Sequence, residues 1–314
     1  MLTISIVGFG SRGQMFANKI KAEGSAKLVA IAEPVEQCRN VGEKYNVPEE
    51  MRFSNADDFF AQGKISDAVF ICTQDAQHKD MAIRAMELGY DMILEKPAAT
   101  NLEDCLAIRD TANRLGRKVM LTHGMRYMPF YQHIKKLIVE GVLGEIVSIN
   151  QTENIAYWHF SLSYVRGPWR KMADSSATIM AKCCHDIDII NWLIPSKCVA
   201  VSSFGNLYHF RPEQAPKGSA DWCVDCDPET REKCLYNSYT VYPERINAGV
   251  VGGTARLKGR DIFEVIDNKE DVIGRCVFRG DNDAVDNQVV NMIFDSGATA
   301  HLTMTAFSER CYRY

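Results

Sequence analysis

The sequence predicts an α/β chain in two parts, a doubly wound parallel sheet over residues 1–122 and an α+β domain with a mostly antiparallel sheet over 123–314. Three observations carry this division. Strand and helix patterns alternate up to residue 122. After about residue 195, strands follow one another without intervening helices. A glycine-rich turn, Gly8-Phe9-Gly10-Ser11-Arg12-Gly13, separates the first strand from the first helix.

Taken in order, LTISIVG (2–8) is a short β-rich run ending in glycine, and Met15, Phe16 and Ile20 follow at helical spacing. A second strand, Lys27–Ala32, ends at Glu33-Pro34. A helix over Val35–Tyr45, a brief strand at Arg52–Phe53 and a helix over Ala56–Gln62 come next. Asp67–Cys72 is apolar on both faces, as a parallel strand covered by helices requires. Helix His78–Leu88, strand Asp91–Leu94, helix Leu102–Leu115 and strand Lys118–Thr122 complete the first domain. The second begins with a helix at Pro129–Glu140 and a strand at Glu145–Glu153. An aromatic and arginine-rich loop, WHFSLSYVRGPWRK, precedes a helix over Ala177–Leu193. Five strands are expected beyond it: Ala200–Leu207, Ala248–Lys258, Arg275–Phe278, Gln288–Phe294 and Ala298–Phe307. The sequence stops directly after the last, which fits either a natural end or a longer polypeptide.

Bulk properties narrow the function. A formal charge of −4 with scattered Lys and Arg argues against a nucleic-acid partner, which needs clustered positive charge. No apolar run approaches the ~20 residues needed to span a bilayer. The N-terminus lacks the marks of a signal peptide, so a cytoplasmic protein is expected. The eleven cysteines lie mostly in apolar runs and read as small packed hydrophobes.

Gly8, Gly10 and Gly13 match G-x-G-x-x-G between a strand and a helix, the context in which that motif cradles a pyrophosphate. The first glycine allows the turn, the second lets backbone approach the phosphates, and the third lets helix pack on strand. The helix N-terminus adds amide donors. Glu33, twenty residues beyond Gly13, ends the second strand, where a carboxylate accepts from ribose hydroxyls and repels a 2′-phosphate. The expected cofactor is therefore NAD rather than NADP. Thr73, Gln74 and His78 follow the fourth strand, and Glu95 and Lys96 end the fifth, on the ligand side of such a sheet. Lys96 is suited to hydrogen-bond a substrate hydroxyl and to stabilise a developing carbonyl oxygen. Arg126 follows the sixth strand and is a candidate for the cofactor's edge. His185 and Asp188, three apart in CHDID, share one helix face and form a candidate proton relay. His159, Arg166 and Trp169 in the aromatic loop are candidates to stack on a sugar ring or bind its polar groups.

Together, IVGFGSRGQMFA, AEP, CTQDAQH, EKPAA and CHDIDIINWL resemble the glucose–fructose oxidoreductase / inositol dehydrogenase / rhizopine-catabolism (Gfo/Idh/MocA) family over nearly the whole chain. The resemblance implies a Rossmann domain followed by an α/β domain whose open sheet makes homodimers or homotetramers. It also implies oxidation of a secondary hydroxyl on a sugar, polyol or related compound, with Lys96 and His185 as catalytic residues and a cis Lys96-Pro97 peptide. Some relatives are NAD-dependent glycosidases or lyases that oxidise transiently, and others are regulators that bind the cofactor without turnover. One departure stands out. Many relatives carry an Asp four residues before the His, where this sequence has Ala181 followed by Lys182. Either Lys182 binds a substrate carboxylate or hydroxyl, or Asp188 serves as the histidine's partner.

Cys223-x-x-Cys226 with Cys234 supplies three ligands of a structural zinc site, the fourth being open among His209, Cys183 and Cys184. Similar cysteine-rich insertions occur in a subset of the family it resembles.

Overall fold

The structure, a computed structural model, describes residues 1–247, 254, 257 and 259–314. It separates into two compact units, Met1–Thr122 with Arg245–Arg260, and His123–Glu244 with Asp261–Tyr314.

The first unit holds a six-stranded, wholly parallel sheet. Its strands are β1 (Leu2–Val7), β2 (Ala26–Ala32), β3 (Arg52–Phe53), β4 (Ala68–Ile71), β5 (Asp91–Leu94) and β6 (Val119–Leu121), in spatial order β3-β2-β1-β4-β5-β6. The order reverses beside β1, so β1 and β4 run side by side and open a crevice at their carboxyl ends. Helices α1 (Ser11–Glu23), α2 (Glu36–Asn40), α3 (Ala56–Ala61), α4 (His78–Glu87) and α5 (Leu102–Leu115) make the crossovers. Both faces are covered. Ile6, Leu28, Ile31 and Phe70 pack with Phe9, Ala17 and Ile20 on one side, and Val7, Val69, Ile71 and Leu94 with Ala82, Ala85 and Ile108 on the other. Gly24 and Gly116, both left-handed, end α1 and α5, while Asn55 and Asn101 cap α3 and α5 by accepting the amides of Asp58 and Asp104. The predicted helix over Val35–Tyr45 is split, α2 passing into a 3-10 turn at Val41–Tyr45.

The second unit is a five-stranded sheet of β7 (Ser148–Ala156), β8 (Cys198–Asn206), β9 (Asn287–Phe294), β10 (Thr299–Ser308) and β11 (Tyr312–Arg313), ordered β11-β7-β10-β9-β8. Three of its four pairings are antiparallel and β10–β7 is parallel. Helices α6 (Pro129–Val139), α7 (Tyr157–Phe160), α8 (Thr178–Ala181) and α9 (Cys184–Leu193) belong to this unit. Alternate residues of β10, Ala300, Leu302, Met304 and Ala306, are buried in the same core as Phe160, Ile190, Phe210 and Phe294.

Three further expectations change here. The aromatic loop is helical at its start, with α7 continuing into a π-helical turn over Ser161–Arg166. The predicted helix Ala177–Leu193 breaks at Lys182-Cys183 into α8 and α9. Arg275–Phe278 is not a strand but makes one isolated bridge, Trp222 to Arg275. The short β11 is not signalled by any pattern. The strand expected at 248–258 lies almost wholly outside the described residues. Among the described residues, no helix is long and apolar enough to cross a membrane.

Candidate functional site

The glycine turn behaves as its sequence requires. Gly8 has φ +90°, and a Cβ there would stand 2.5 Å from the Cys72 carbonyl carbon, so only glycine lets β1 and β4 run this close. A Cβ on Gly13 would meet the Gly8 carbonyl oxygen at 2.3 Å. Gly10 differs, because among the described residues, its chain neighbours aside, no atom lies within 4 Å of a Cβ built there. Packing does not explain that glycine, whereas a ligand phosphate at the N-terminus of α1 does. Phe9 is buried, Ser11 and Arg12 open the helix, and no side chain caps it.

Glu33 is anchored at this turn. Its Oε2 accepts from the Phe9 amide at 2.8 Å and its Oε1 from the Val35 amide at 3.0 Å. A carboxylate has about four acceptor sites, so two such bonds leave capacity for ribose hydroxyls. Arg39, which the sequence reading missed, donates to the carbonyls of Glu33 and Pro34 at 2.7 and 3.1 Å. At the end of β4, the Thr73 hydroxyl is buried with no hydrogen-bond partner among the described residues. An open cradle at Gly10, an acid at the second strand's end and an orphaned hydroxyl in the crevice together fit a dinucleotide.

The Lys96 loop is fixed from several sides. The Lys96-Pro97 peptide is cis. The Lys96 amide faces Glu95 Oε2 and Thr122 Oγ1, each at 3.2 Å. Glu95 is itself buried and takes Arg12 Nε and Nη2 at 2.9 and 2.7 Å on its other oxygen. His78 is fully buried, its Nδ1 2.7 Å from the Pro97 carbonyl and its Nε2 3.1 Å from the Thr73 carbonyl. It joins the loops after β4 and β5, so within this unit its ring is spent on positioning the lysine loop. Gln74 is exposed and starts a capping box with Gln77. Burial pushes the Cys72 thiol well above its ordinary range, which makes it a packing residue.

In the second unit, Arg126 forks onto Asp188, Nε to Oδ2 at 2.7 Å and Nη2 to Oδ1 at 2.6 Å, and the hydrogen bond with Asp188 raises the guanidinium pKa. Asp188 is thus committed to Arg126 rather than serving as the histidine's main orienting partner. The His123 and His185 rings meet edge to face, centroids 6.0 Å apart, and His123 Nε2 lies 3.8 Å from Asp188 Oδ1. His123, Cys184, Ile187, Asp188 and Asn191 line an open depression. His123 was missed because a histidine just after a short strand has no motif around it.

Lys182 sits at the break between α8 and α9, and Ala181 beside it is buried. Its Nζ is 3.1 Å from Glu153 Oε1, on β7. Arg313 Nε is 2.8 Å from Glu153 Oε2 and 2.7 Å from Asp186 Oδ1. Burial, with Asp186 adding to it, holds the Glu153 carboxyl above its ordinary range, and Lys182 and Arg313 offset only part of that rise.

Arg166 needs correction as a substrate ligand. It is 1 % exposed, and its guanidinium donates to the Tyr242 hydroxyl, the Tyr236 carbonyl at 3.0 Å and the Arg275 carbonyl at 2.6 Å. Its donors hold the interior together. His159 is half-buried beside Trp158, and Trp169 packs against Tyr164 while lining a recess with Met172, Thr178 and Gln288.

The zinc expectation is not supported. Among the described residues, no group of three or more His, Cys, Asp or Glu is arranged to hold a metal ion. Cys223, Cys226 and Cys234 line a pocket with Cys276, but the Arg166 cation already stands there, Nη2 3.8 Å from Cys223 Sγ. Burial raises the Cys234 and Cys276 thiols, favouring the neutral form, and all four cysteines are free.

Comparison with known proteins agrees with this geometry. The model described as "Oxidoreductase family, NAD-binding Rossmann fold" matches residues 2–123, and the "GFO/IDH/MocA C-terminal domain" matches 131–256. The chain is 28 % identical over 215 residues to the 2,7-anhydro-N-acetylneuraminate hydratase of Escherichia coli (strain K12), covering 68 % of this chain and 55 % of that protein. It is 29 % identical over 148 residues to an inositol 2-dehydrogenase/D-chiro-inositol 3-dehydrogenase of Lactiplantibacillus plantarum, covering 46 % and 37 %. Its fold is similar to that of the WlbA dehydrogenase from Chromobacterium violaceum, solved with NADH and UDP-GlcNAcA, with TM-score 0.67 and 15 % identity over 99 % of this chain and 68 % of that one. The chain spans about half the length of the hydratase and less of the inositol dehydrogenase. With both family models matched in order along it, the chain belongs to the Gfo/Idh/MocA family of oxidoreductases, with their NAD-binding Rossmann domain.

Proposed function

We propose that the protein is an NAD-dependent oxidoreductase that oxidises a secondary hydroxyl of a sugar, polyol or sugar derivative. The observation that carries this reading is Lys96. It lies at the carboxyl end of β5, on a loop held by Glu95, Thr122 and His78, in a domain with an open glycine cradle. Gly8, Gly10, Gly13 and Glu33 would hold NAD, which would supply a hydride acceptor when bound. Lys96 donates a hydrogen bond to the substrate oxygen and stabilises the charge that develops on it. His185 takes the hydroxyl proton. Lys182, Asp188, His159 and Trp169 form the substrate side, with Arg126 holding Asp188. An inositol dehydrogenase among the relatives supports a carbohydrate-like substrate. The exposed apolar residues Val201 and Phe204 on β8 and Ile293 on β9 support assembly of a homodimer or homotetramer through the second sheet. A cytoplasmic location is consistent with this chemistry.

The test is a screen of sugars, sugar acids and inositols for NAD reduction. A rise in NADH absorbance with any of them is the expected result, and no reduction together with no NADH binding refutes the proposal.

One observation favours a second reading. Position 181 is a buried Ala where many relatives hold an acid, and the neighbouring Lys182 is paired with Glu153. A changed proton route suits transient oxidation followed by elimination, and a hydratase is among the relatives. In that case a substrate bond is cleaved and no NADH accumulates.

A further inference from the structure

The charged cluster around Lys182 is balanced. Two cations, Lys182 and Arg313, meet two carboxylates, Glu153 and Asp186, and both carboxylates are 0 % exposed as residues. The contacts are not equivalent. Arg313 has a single Nε hydrogen, which is directed at Asp186 Oδ1 at 2.7 Å, with Nη2 reaching Asp186 Oδ2 at 3.3 Å. Asp186 also accepts from Gln151 Nε2 at 2.9 Å. Asp186 is therefore satisfied by hydrogen bonds. Glu153 is less well satisfied, because among the described residues neither oxygen has an aligned hydrogen-bond donor, and its near contacts are the cations Lys182, Nζ at 3.1 Å, and Arg313, Nε at 2.8 Å. Tyr131 and Cys183 also feel this cluster, and both are uncharged at neutral pH, burial moving their pKa values further above it.

Arg313 is thus matched by Asp186, and Glu153 remains as the counter-charge of Lys182. A buried carboxylate without aligned donors is costly to keep unless a neighbouring cation requires it. Both cations of the cluster reach toward solvent, Arg313 with 25 % of its side chain exposed and Lys182 with 17 %. Lys182 stands three residues before His185 in the broken helix.

We propose that Glu153 is the positioning residue for Lys182, holding its ammonium at the turn before His185 and cancelling its charge. The site then takes an uncharged sugar or polyol, and Lys182 meets it as a hydroxyl donor rather than as a carboxylate receptor. The inference rests on the reading that Lys182 faces substrate. It needs no turnover, so its failure is separate from failure of the dehydrogenase assignment.

The test is reductive methylation of Lys182 in the full chain, followed by mass spectrometry at mildly alkaline pH. The probes are methyl α-D-glucopyranoside and its carboxylate counterpart, methyl α-D-glucopyranosiduronate, neither of which has a reducing end. In the unmodified protein, the carboxylate probe protects Lys182 no better than the neutral one. In Glu153→Gln the cluster carries one uncompensated positive charge, and the carboxylate probe protects at least about fivefold better, the factor that one unit charge about 4 Å away gives in water, where the attraction is weakest. Glu153→Asp keeps the charge and behaves as the unmodified protein. Carboxylate-selective protection already present in the unmodified protein overturns the proposal, and this arm holds even if Glu153→Gln does not fold. A folded Glu153→Gln that gains no carboxylate preference overturns it equally.

Discussion

Arg126 and Asp188 meet through two parallel hydrogen bonds, at 2.7 and 2.6 Å, across 62 residues of sequence. This fork ties the turn after residue 123 to the helix that carries His185. The Asp188 side chain is only 11 % exposed, so removing its partner leaves a largely desolvated charge. Arg126→Met is expected to destabilise the protein by about 1–3 kcal/mol, the lower end being favoured because Arg126 itself is partly in water. Thermal melts and denaturant titration check this. Arg126→Lys recovers only part of the loss, since an ammonium cannot fork. A melting temperature unchanged in Arg126→Met contradicts the account.

Two glycines of the turn separate packing from binding. Gly13→Ala forces a Cβ to 2.3 Å from the Gly8 carbonyl oxygen, so lower stability is expected with any change in affinity. Gly10→Ala meets nothing within 4 Å among the described residues, chain neighbours aside, and has φ −70°, so its melting temperature is expected to stay within about 1 °C of normal. Its NADH affinity, read by fluorescence titration, is expected to fall tenfold or more, roughly the 1.4 kcal/mol expected when a methyl crowds a phosphate site. Equal NADH affinity in Gly10→Ala contradicts the phosphate assignment.

His78 is expected to act through the lysine loop. Phe in its place fills the volume but loses the contacts to Pro97 and Thr73, leaving the carbonyl that accepts the ring N–H without its donor. A loss of about 1–3 kcal/mol in stability is expected. Once a substrate is known, kcat should fall more than KM rises, because NAD still reaches the glycine turn. The opposite split, a weakened NADH affinity with kcat intact, makes His78 a cofactor ligand.

His209 supplies a pH signature. It packs among Phe210, Tyr236, Phe278 and Phe307, and burial lowers its pKa below the ordinary 6.5, partly offset by Asp286. The folded state therefore binds fewer protons there than the unfolded state. Its contribution is fully present above about pH 6.5 and is lost as pH falls toward the lowered folded value. Melting temperatures should decline through that window, and less so in His209→Phe. An identical decline in the two proteins removes His209 as a source.

The first unit was legible because each of its signals is local. Gly8, Gly10, Gly13 and Glu33 lie on one strand–turn–helix–strand unit, where spacing alone fixes what stands beside what. Lys96 and Pro97 follow a strand read from its own apolar run. The second unit depends on distant partners. Nothing near Glu153 tells that Lys182 lies 3.1 Å away, or that Arg313 from a two-residue strand pairs with Asp186. Arg166 was misread for a related reason. An arginine in an aromatic loop looks like a ligand, yet here a π-helical turn swings it inward onto Tyr236, Tyr242 and Arg275. The cysteine trio was misread because spacing cannot show a guanidinium among the thiols.

The central claim, that Lys96 acts on a substrate hydroxyl beside bound NAD, is tested most directly by Lys96→Ala. The measurement pairs an NADH titration with the rate of NAD reduction on a substrate found by the screen. The account predicts NADH binding close to normal and a rate lower by about 10²-fold or more, as for loss of a donor to a developing oxyanion. Full turnover in Lys96→Ala, with binding intact, would contradict it.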